Sequence, residues 1–213
     1  LSLAEARRAA VLAALREHRV TSVADIGCGE GALLRDVLAD PAYERVVGVD
    51  VSPRALTIAE RRLDLARMAD RQRARLTLMQ SSVTYRDPRL AGLDALVLVE
   101  VIEHVDLSRL AALERSVFHY ARPRVVVVTT PNADYNVRYQ GLGAGEYRHT
   151  DHRFEWGRVE FTSWCQRVGE MFGYAVDVRP VGDRDPDVGA PTQLAVFTRA
   201  DRMRAEDPSG VTT

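Results

Sequence analysis

The strongest constraint on the fold is a short apolar strand that runs directly into closely spaced glycines. Residues 22–26 read Ser-Val-Ala-Asp-Ile, and Gly-Cys-Gly-Glu-Gly follows, ahead of an apolar segment at 32–38. Glycine permits a tight turn and lets a ligand approach the bare amides at a helix N-terminus. A second apolar strand, residues 45–50, ends in Asp50, whose carboxylate can accept both hydroxyls of a ribose. The pattern predicts a parallel α/β sheet that binds a nucleoside-containing cofactor.

The spacing of the glycines distinguishes two kinds of cofactor. Nicotinamide dehydrogenases carry GxGxxG, whereas this chain has DxGxGxG from Asp25 to Gly31, which disfavours a dehydrogenase. The spacing resembles the S-adenosylmethionine site of class I methyltransferases. The resemblance implies that the amino-acid part of the cofactor lies against the glycines and its ribose against Asp50. The cofactor-binding residues expected in these two segments are Asp25, Gly27, Cys28, Gly29, Gly31 and Asp50.

Periodicity along the rest of the chain completes the expected fold. Helical patterns cover residues 3–18, 32–38, 54–66 and 159–172, with a further helix that begins near Asp106 or Ser108 and extends to Phe118. Apolar strands are predicted at 22–26, 45–50, 75–80, 93–99, 124–130, 174–179 and 193–199. We therefore predict a Rossmann-like class I methyltransferase fold. It has a mostly parallel seven-stranded sheet with an antiparallel last strand, and helices cover both faces. The domain is expected over residues 1–200, followed by a disordered tail at 201–213.

Two strand ends deliver further candidate side chains. Ser82 and Val83 follow the third strand, where class I methyltransferases hold the adenine, so they are either adenine contacts or plain loop residues. The fourth strand ends in Glu100, with Glu103 and His104 close behind. On a helical turn these three side chains share a face, and together they suit a hard or borderline divalent ion. The alternative is a solvated strand end at Glu100 and a helix cap at His104. Because ligands lie beyond the carboxyl ends of such strands, Glu100 is also expected beside the sulfonium methyl.

Composition and charge narrow the class of protein. The formal net charge of −1 gives no general attraction to nucleic acid, so any RNA contact has to be local. Two cysteines, Cys28 and Cys165, form no framework, which favours a reduced, cytoplasmic protein. No stretch of apolar residues approaches the length of a membrane span, so a membrane protein is not expected.

The segment after the fifth strand is long for a loop in a compact domain. Residues 131–156 lack clear periodicity but are rich in histidine, arginine and aromatic residues, which favours a functional loop. Interleaved basic and aromatic side chains suit a single-stranded RNA end. The candidates are Arg138, Arg148, Arg153 and Arg158, with Tyr135, Tyr139, Tyr147, Phe154 and Trp156. The alternative is that Phe154 and Trp156 anchor the loop in the core.

Three motifs carry a narrower resemblance: Glu100-Val-Ile-Glu-His104, Thr130-Pro-Asn132 and the run from His149 to Trp156. With them, residues 4–199 resemble the catalytic domain of the small-RNA 3′-terminal ribose 2′-O-methyltransferases, the Hua-enhancer family. The bacterial branch is the most similar, on the strength of residues 82–87, 189–193 and 195–198. The resemblance implies a divalent metal, Mn²⁺ or Mg²⁺, with the ligands Glu100, Glu103, His104 and His152. It also implies catalytic roles for Glu103 and His152. His149 is a further catalytic candidate, either as the base or as a partner that bonds to a metal ligand, and Asp151 could orient an imidazole.

The resemblance implies methyl transfer from S-adenosylmethionine to the 2′-hydroxyl of the 3′-terminal ribose of RNA, in bacterial RNA repair. Four protein ligands on an octahedral ion leave two adjacent positions, which a vicinal diol can fill. A 3′-phosphate end or DNA should then fail as substrate. The expected partners are the 3′ end of single-stranded or small RNA and an RNA kinase-phosphatase-ligase repair protein, which would dock on the N-terminal half of bacterial members. Two alternatives remain open: an O-methyltransferase of a small diol or catechol, and a non-catalytic RNA-binding module that binds S-adenosylmethionine.

Overall fold

The computed structural model describes residues 1–200, and the tail predicted at 201–213 lies outside the described residues. The helices are α1 (Leu3–Glu17), α2 (Ala32–Ala39), α3 (Pro53–Arg62), α4 (Asp70–Arg73), α5 (Leu107–Glu114) and α6 (Arg158–Phe172). The strands are β1 (Ser22–Ile26), β2 (Arg45–Asp50), β3 (Leu76–Gln80), β4 (Ala95–Val99), β5 (Val125–Pro131), β6 (Tyr174–Val181) and β7 (Thr192–Arg199).

The seven strands form one mixed sheet in the order β3-β2-β1-β4-β5-β7-β6. Strands β1 to β5 are parallel to one another, and β7 runs antiparallel to both β5 and β6. The expected topology with an antiparallel last strand is therefore confirmed. The strand order reverses between β1 and β4, so the crevice where ligands bind such sheets opens beyond the carboxyl ends of these two strands.

Two hydrophobic clusters cover the two faces of the sheet. One contains Val11 and Leu15 from α1 and Leu34 from α2, packed against residues such as Val23 and Val97. The other is built from α5, α6 and the segment between α5 and β5, and its members include Leu113, Phe118, Phe161, Trp164 and Phe197. Helices on both faces are thus confirmed. Within residues 1–200, no helix is both long and apolar enough to cross a membrane.

Several element boundaries differ from the expected ones. Helix α3 begins as predicted, with the Ser52 hydroxyl accepting from the Ala55 amide and Pro53 in the first turn, but it ends at Arg62 rather than near residue 66. The cause is local, since Asp64 adopts a left-handed conformation with φ +52°. After α5 the chain continues as a π-helical segment, Arg115–Ala121, and so runs past the expected end at Phe118.

Candidate active site

A cavity of about 580 Å³, called here the first cavity, opens at the predicted crevice. It is lined by residues that follow β1, β2, β3 and β4 in turn, because the carboxyl ends of parallel strands meet at one edge. Its walls include five residues predicted to bind the cofactor, namely Gly27, Asp50, Ser82, Val83 and Glu100. Arg109 and Val101 also line it, and neither was anticipated from the sequence.

Asp50 joins the end of β2 to the glycine turn. One carboxylate oxygen accepts from the amide of Gly29 at 2.9 Å and the other from the amide of Ser52 at 2.9 Å. Each carboxylate oxygen has a second lone pair, so these bonds fix the group without using up its acceptor capacity. A carboxylate held this way at the cavity wall can still accept hydrogen bonds from ribose hydroxyls.

The glycines of this turn and Cys28 differ in what they contribute to the cavity. Gly27 has φ +74°, and a Cβ there would lie 2.8 Å from a methyl of Val101, so only glycine fits beside the cavity. Gly29 and Gly31 are also left-handed, and a Cβ at Gly31 would press on Ala59. Cys28 is different, because its thiol packs in the core with α2 rather than in the cavity. Any contact between Cys28 and a cofactor would therefore be through its backbone.

Asp25 is buried behind the turn, with 5% of its surface exposed. Burial raises the pKa of its carboxyl to about 7, and the nearby carboxylate of Asp50 adds to the rise. The side chain does not line the first cavity. A direct contact of the Asp25 side chain with a cofactor therefore stays a prediction.

Glu103 and His104 meet the sequence-distant His152 beside the first cavity, which His104 lines. One ligand atom from each lies within 4.8 Å of the other two, a spacing that suits a single divalent ion. Glu103 and His104 lie on a 3₁₀ turn, Ile102–His104, that follows β4 directly, and not on the α-helical turn considered from the sequence. His152 comes from the long loop after β5, and its ring centroid lies 4.8 Å from that of His104.

A carboxylate holds the Nδ1 atom of each imidazole. Nδ1 of His152 lies 2.5 Å from Glu155 Oε1, and both side chains are almost fully buried. Nδ1 of His104 lies 3.2 Å from Asp151 Oδ2 at the surface. Nε2 of each ring therefore remains for a ligand, an arrangement that is usual for metal-bound histidines. Asp151 takes the orienting position considered from the sequence, whereas Glu155 was not anticipated.

Glu103 has the surroundings expected of a metal ligand. The residue is fully buried, and Oε2 accepts from the hydroxyl of Thr130 at 3.0 Å. Oε1 is one of three buried side-chain oxygens in residues 1–200 that lack a hydrogen-bond partner. Burial raises the pKa of Glu103 well above its usual range, and the neighbouring carboxylate of Glu100 raises it further. An unpartnered buried carboxylate oxygen is costly, so the donor set fits a divalent cation.

Glu100, the fourth predicted ligand, lies outside the group of three. Its Oε1 accepts from the hydroxyl of Thr129 at 3.0 Å, and its Oε2 pairs with the guanidinium of Arg7 at 3.1 Å. Its backbone is left-handed, with φ +55°, which turns the chain sharply at the end of β4. Both oxygens are thus engaged, and a ligand role for Glu100 stays a prediction. Nothing in the sequence around Arg7, on α1, pointed to this contact.

The long loop reaches Glu103 because it is tied to the sheet at several points. The amide of Arg153 donates to the carbonyl of Glu103 at 2.7 Å, which places His152 beside the 3₁₀ turn. Phe154 is buried in the core and stacks near Trp156, with ring centroids 4.3 Å apart. The amide of Ala133 donates to the carbonyl of Trp156 at 3.0 Å and closes the loop. Phe154 and Trp156 are therefore the core anchors considered as the alternative.

The four arginines proposed to grip RNA are occupied within the protein. Arg148 is the most buried, and its guanidinium donates to the carbonyls of Asn132 and Pro191 at 2.6 and 2.7 Å. The other three pair with acids: Arg138 with Asp185, Arg153 with Asp106 and Arg158 with Asp134. These guanidiniums already bond to carbonyls or carboxylates within the protein, and their role in binding phosphate stays a prediction.

A second cavity of about 440 Å³ lies on the other side of Glu100 and is called here the second cavity. Its walls come from α1 and the long loop, and they include Arg7, Tyr139, Arg148 and His149. Glu100 lines both cavities. The ring of His149 is exposed and its centroid lies 5.0 Å from that of His152. Of the predicted metal ligands, Glu100 therefore lines both cavities and His104 lines the first, while His152 lies close to His149 of the second.

Comparisons with known proteins show which family the chain resembles. A family model described as a methyltransferase domain matches residues 24–127. The mouse small RNA 2′-O-methyltransferase is 36% identical over 190 residues, which cover 85% of this chain and 47% of that protein. The chain thus spans about half the length of the first small RNA 2′-O-methyltransferases that it matches.

Two solved structures share the fold closely. The methyltransferase domain of bacterial CtHen1-C has a TM-score of 0.86 and 44% identity, and the match covers 94% of this chain and 100% of that one. A chain of the Pnkp1/Rnl/Hen1 RNA repair complex has a TM-score of 0.70 and 21% identity, covering 93% of this chain and 42% of that one. The second likeness is one of fold alone.

Proposed function

Because the chain belongs to the small RNA 2′-O-methyltransferase family, we propose that it transfers a methyl group from S-adenosylmethionine to the 2′-hydroxyl of a 3′-terminal ribose. The observation that carries the proposal is the meeting of Glu103, His104 and His152, with His104 on the wall of the first cavity and His152 close to His149 of the second. One cavity suits the cofactor and the other is open to an RNA end.

The residues of the first cavity account for cofactor binding. Asp50 accepts hydrogen bonds from the ribose hydroxyls, Ser82 and Val83 flank the adenine, and Gly27 leaves room beside Val101. Glu103, His104 and His152 would hold a divalent ion, Mn²⁺ or Mg²⁺, with Glu100 as a further candidate. When bound, such an ion supplies Lewis acidity that lowers the pKa of a hydroxyl.

His149 is the better placed of the two histidines to take the proton. The Nδ1 of His152 is held by Glu155, and its Nε2 would be used to bind the ion, so neither nitrogen is free to accept a proton. The ring of His149 lines the second cavity and has no hydrogen-bond partner among residues 1–200. As the 2′-oxygen bonds to the methyl carbon, the sulfur–carbon bond breaks and its electron pair stays on sulfur. The hydroxyl proton passes to His149, and a positioned base of this kind contributes roughly 10²–10⁴ in rate.

The family membership also supports an RNA substrate and a repair-protein partner as parts of the proposal. The chain shares its fold with a member of an RNA repair complex that contains Pnkp1 and Rnl. We include bacterial RNA repair and a kinase-phosphatase-ligase partner on the basis of the family resemblance, and a cytoplasmic location on the basis of the cysteines. Both cysteines are free and buried, in agreement with a reduced protein.

The first prediction concerns the end of the acceptor. The protein, Mn²⁺ and labelled S-adenosylmethionine are incubated with four acceptors: RNA ending in a 2′,3′-diol, a 3′-phosphate or a 2′-deoxyribose, and catechol. We expect label on the diol-ended RNA alone, because only that RNA end offers both a 2′-hydroxyl and a free 3′-hydroxyl. Equal labelling of catechol would show a small-diol methyltransferase, and labelling of phosphate-ended RNA would reject the end-specific site.

Variants separate the chemistry from cofactor binding. Glu103→Ala and His152→Ala should abolish transfer while calorimetry shows nearly unchanged affinity for S-adenosylmethionine. Asp50→Ala should weaken cofactor binding, since the carboxylate that meets the ribose is lost. Glu44→Ala, at an exposed carboxylate away from both cavities, serves as the control. Full activity after thorough chelation would contradict the role of the ion.

A further inference from the structure

The second cavity has the features of a site for a flat, partly apolar group. Its volume of about 440 Å³ lies within the roughly 300–1,000 Å³ of small-molecule sites. Leu3, Pro131 and Leu142 supply apolar walls, and the ring of Tyr139 supplies an aromatic one. The tyrosine is 36% exposed, so the core does not enclose its ring.

The ring of Tyr139 is held firmly from within the protein. The guanidinium carbon of Arg148 lies 4.8 Å from the ring centroid, and Tyr135 meets the ring edge-on at 5.7 Å. Arg148 itself cannot swing away easily, because it donates to Asn136 as well as to the carbonyls of Asn132 and Pro191. A ring fixed before binding loses little freedom when a second ring stacks on it.

The charged side chains of the second cavity, two arginines and one glutamate, favour a nucleotide as the ligand. Glu100 is the one acid on its wall, and Arg7 pairs with it at 3.1 Å. Arg148 adds a further positive charge. A base with a phosphate attached through its ribose therefore meets aromatic, apolar and cationic surface in one place.

The second cavity lies next to the proposed site of methyl transfer. His149 and Glu100 line the second cavity, and Glu100 is also a wall of the first. A ribose at the shared wall would place its base in the second cavity. Resting on the proposed function, we propose that the second cavity binds the nucleobase of the 3′-terminal nucleotide, which stacks on Tyr139. Stacking uses the face of a base and not its edge, so the site accepts all four bases.

The test compares two RNAs that differ only in the terminal base. One ends in an ordinary nucleotide and the other in an abasic ribose that keeps its 2′,3′-diol. Affinities are measured with S-adenosylhomocysteine and Mn²⁺ bound. The wild-type protein should prefer the base-containing end by roughly 5- to 150-fold, as stacking losses on alanine substitution suggest. RNAs with each of the four terminal bases should bind within a few-fold of one another.

Variants of Tyr139 decide whether stacking is the cause. Tyr139→Phe should keep the preference, and Tyr139→Ala should lower binding of the base-containing RNA to the level of the abasic one. Tyr139→Leu provides the same comparison if the alanine variant unfolds, because it keeps apolar bulk without a flat ring. Tyr120→Ala, at an exposed tyrosine that lines neither cavity and is not a candidate RNA contact, should leave the preference unchanged.

Two results would overturn the inference: equal wild-type affinity for both RNAs, or an equal loss for both RNAs in Tyr139→Ala. The proposed function is read separately, from methyl transfer to saturating diol-ended RNA by the wild-type protein. If RNA is methylated but the wild-type protein binds both ends with equal affinity, the base site is wrong and the methyltransferase stands. If no RNA is methylated, the proposed function fails first.

Discussion

At the scale of single residues, the site depends on how buried carboxylates are satisfied. Glu155 is engaged on both oxygens, by His152 and the amide of Arg148 on one and by Asn136 on the other. Glu103 instead keeps one buried oxygen without a partner. The contrast separates a carboxylate that orients a ligand from one that is itself available as a ligand.

The two carboxylate–histidine pairs predict unequal effects on metal binding. Glu155 holds His152 with only 1% of its side chain exposed, whereas Asp151 is 70% exposed beside His104. Glu155→Gln should weaken Mn²⁺ binding by about 10- to 100-fold, as loss of such a partner typically does. Asp151→Asn, the matched surface change, should have a much smaller effect because water screens that pair. Calorimetric titration with Mn²⁺ measures both, and equal losses would contradict the assigned roles.

Asp25 predicts a dependence of stability on pH. Its pKa is raised from 3.8 to about 7 in the folded protein, so between these values the unfolded chain is ionised at Asp25 and the folded chain is not. The free energy of unfolding should therefore fall as pH rises from about 4 to about 7, and then level off. One pKa unit is worth about 1.4 kcal/mol, which caps the fall due to Asp25 at roughly 4 kcal/mol.

Asp25→Asn isolates this effect, since the amide cannot ionise. Urea unfolding of both proteins without cofactor should show the variant gaining on the wild type through that pH window. A constant difference between the two proteins from pH 4 to pH 8 would contradict the assigned burial of Asp25.

At the scale of elements, sequence patterns predicted the strands of the sheet better than the side-chain contacts between distant segments. Strand β2 was predicted at its observed bounds, because a run of buried β-branched residues between polar ends has few alternatives. The prediction that His152 joins Glu103 and His104 in one site rested on the family resemblance, because periodicity does not relate two such distant segments. Contacts of Arg7 and Arg148 escaped prediction, since the chain is rich in arginine and no local pattern says which one meets a distant carboxylate or carbonyl.

Gly27, in the turn between β1 and α2, and Gly92, ahead of β4, should respond differently to substitution by alanine. Gly27 and Gly92 are both left-handed, with φ +74° and +80°, so alanine should cost each about 1–2 kcal/mol of stability. Only at Gly27 does a Cβ meet a neighbour, Val101, which lines the first cavity. Gly27→Ala should therefore also weaken S-adenosylmethionine binding, while Gly92→Ala should not. Thermal unfolding and cofactor calorimetry on both variants check this, and equal cofactor affinity would contradict the contact.

At the scale of the whole molecule, the fold serves to bring two distant segments together. The reversal of strand order opens the first cavity, and the segment after β4 delivers Glu103 to its edge. The loop after β5 returns to the same point because Phe154 is anchored in the core and Arg153 bonds to Glu103. The site thus depends on the sheet, on both core clusters and on the loop at once.

The most direct test of this account is anomalous diffraction from crystals grown with Mn²⁺ and S-adenosylhomocysteine. We predict one strong manganese peak at coordination distance from Glu103, His104 and His152, beside a cofactor whose ribose meets Asp50. A manganese peak elsewhere with this group empty, at saturating Mn²⁺, would contradict it.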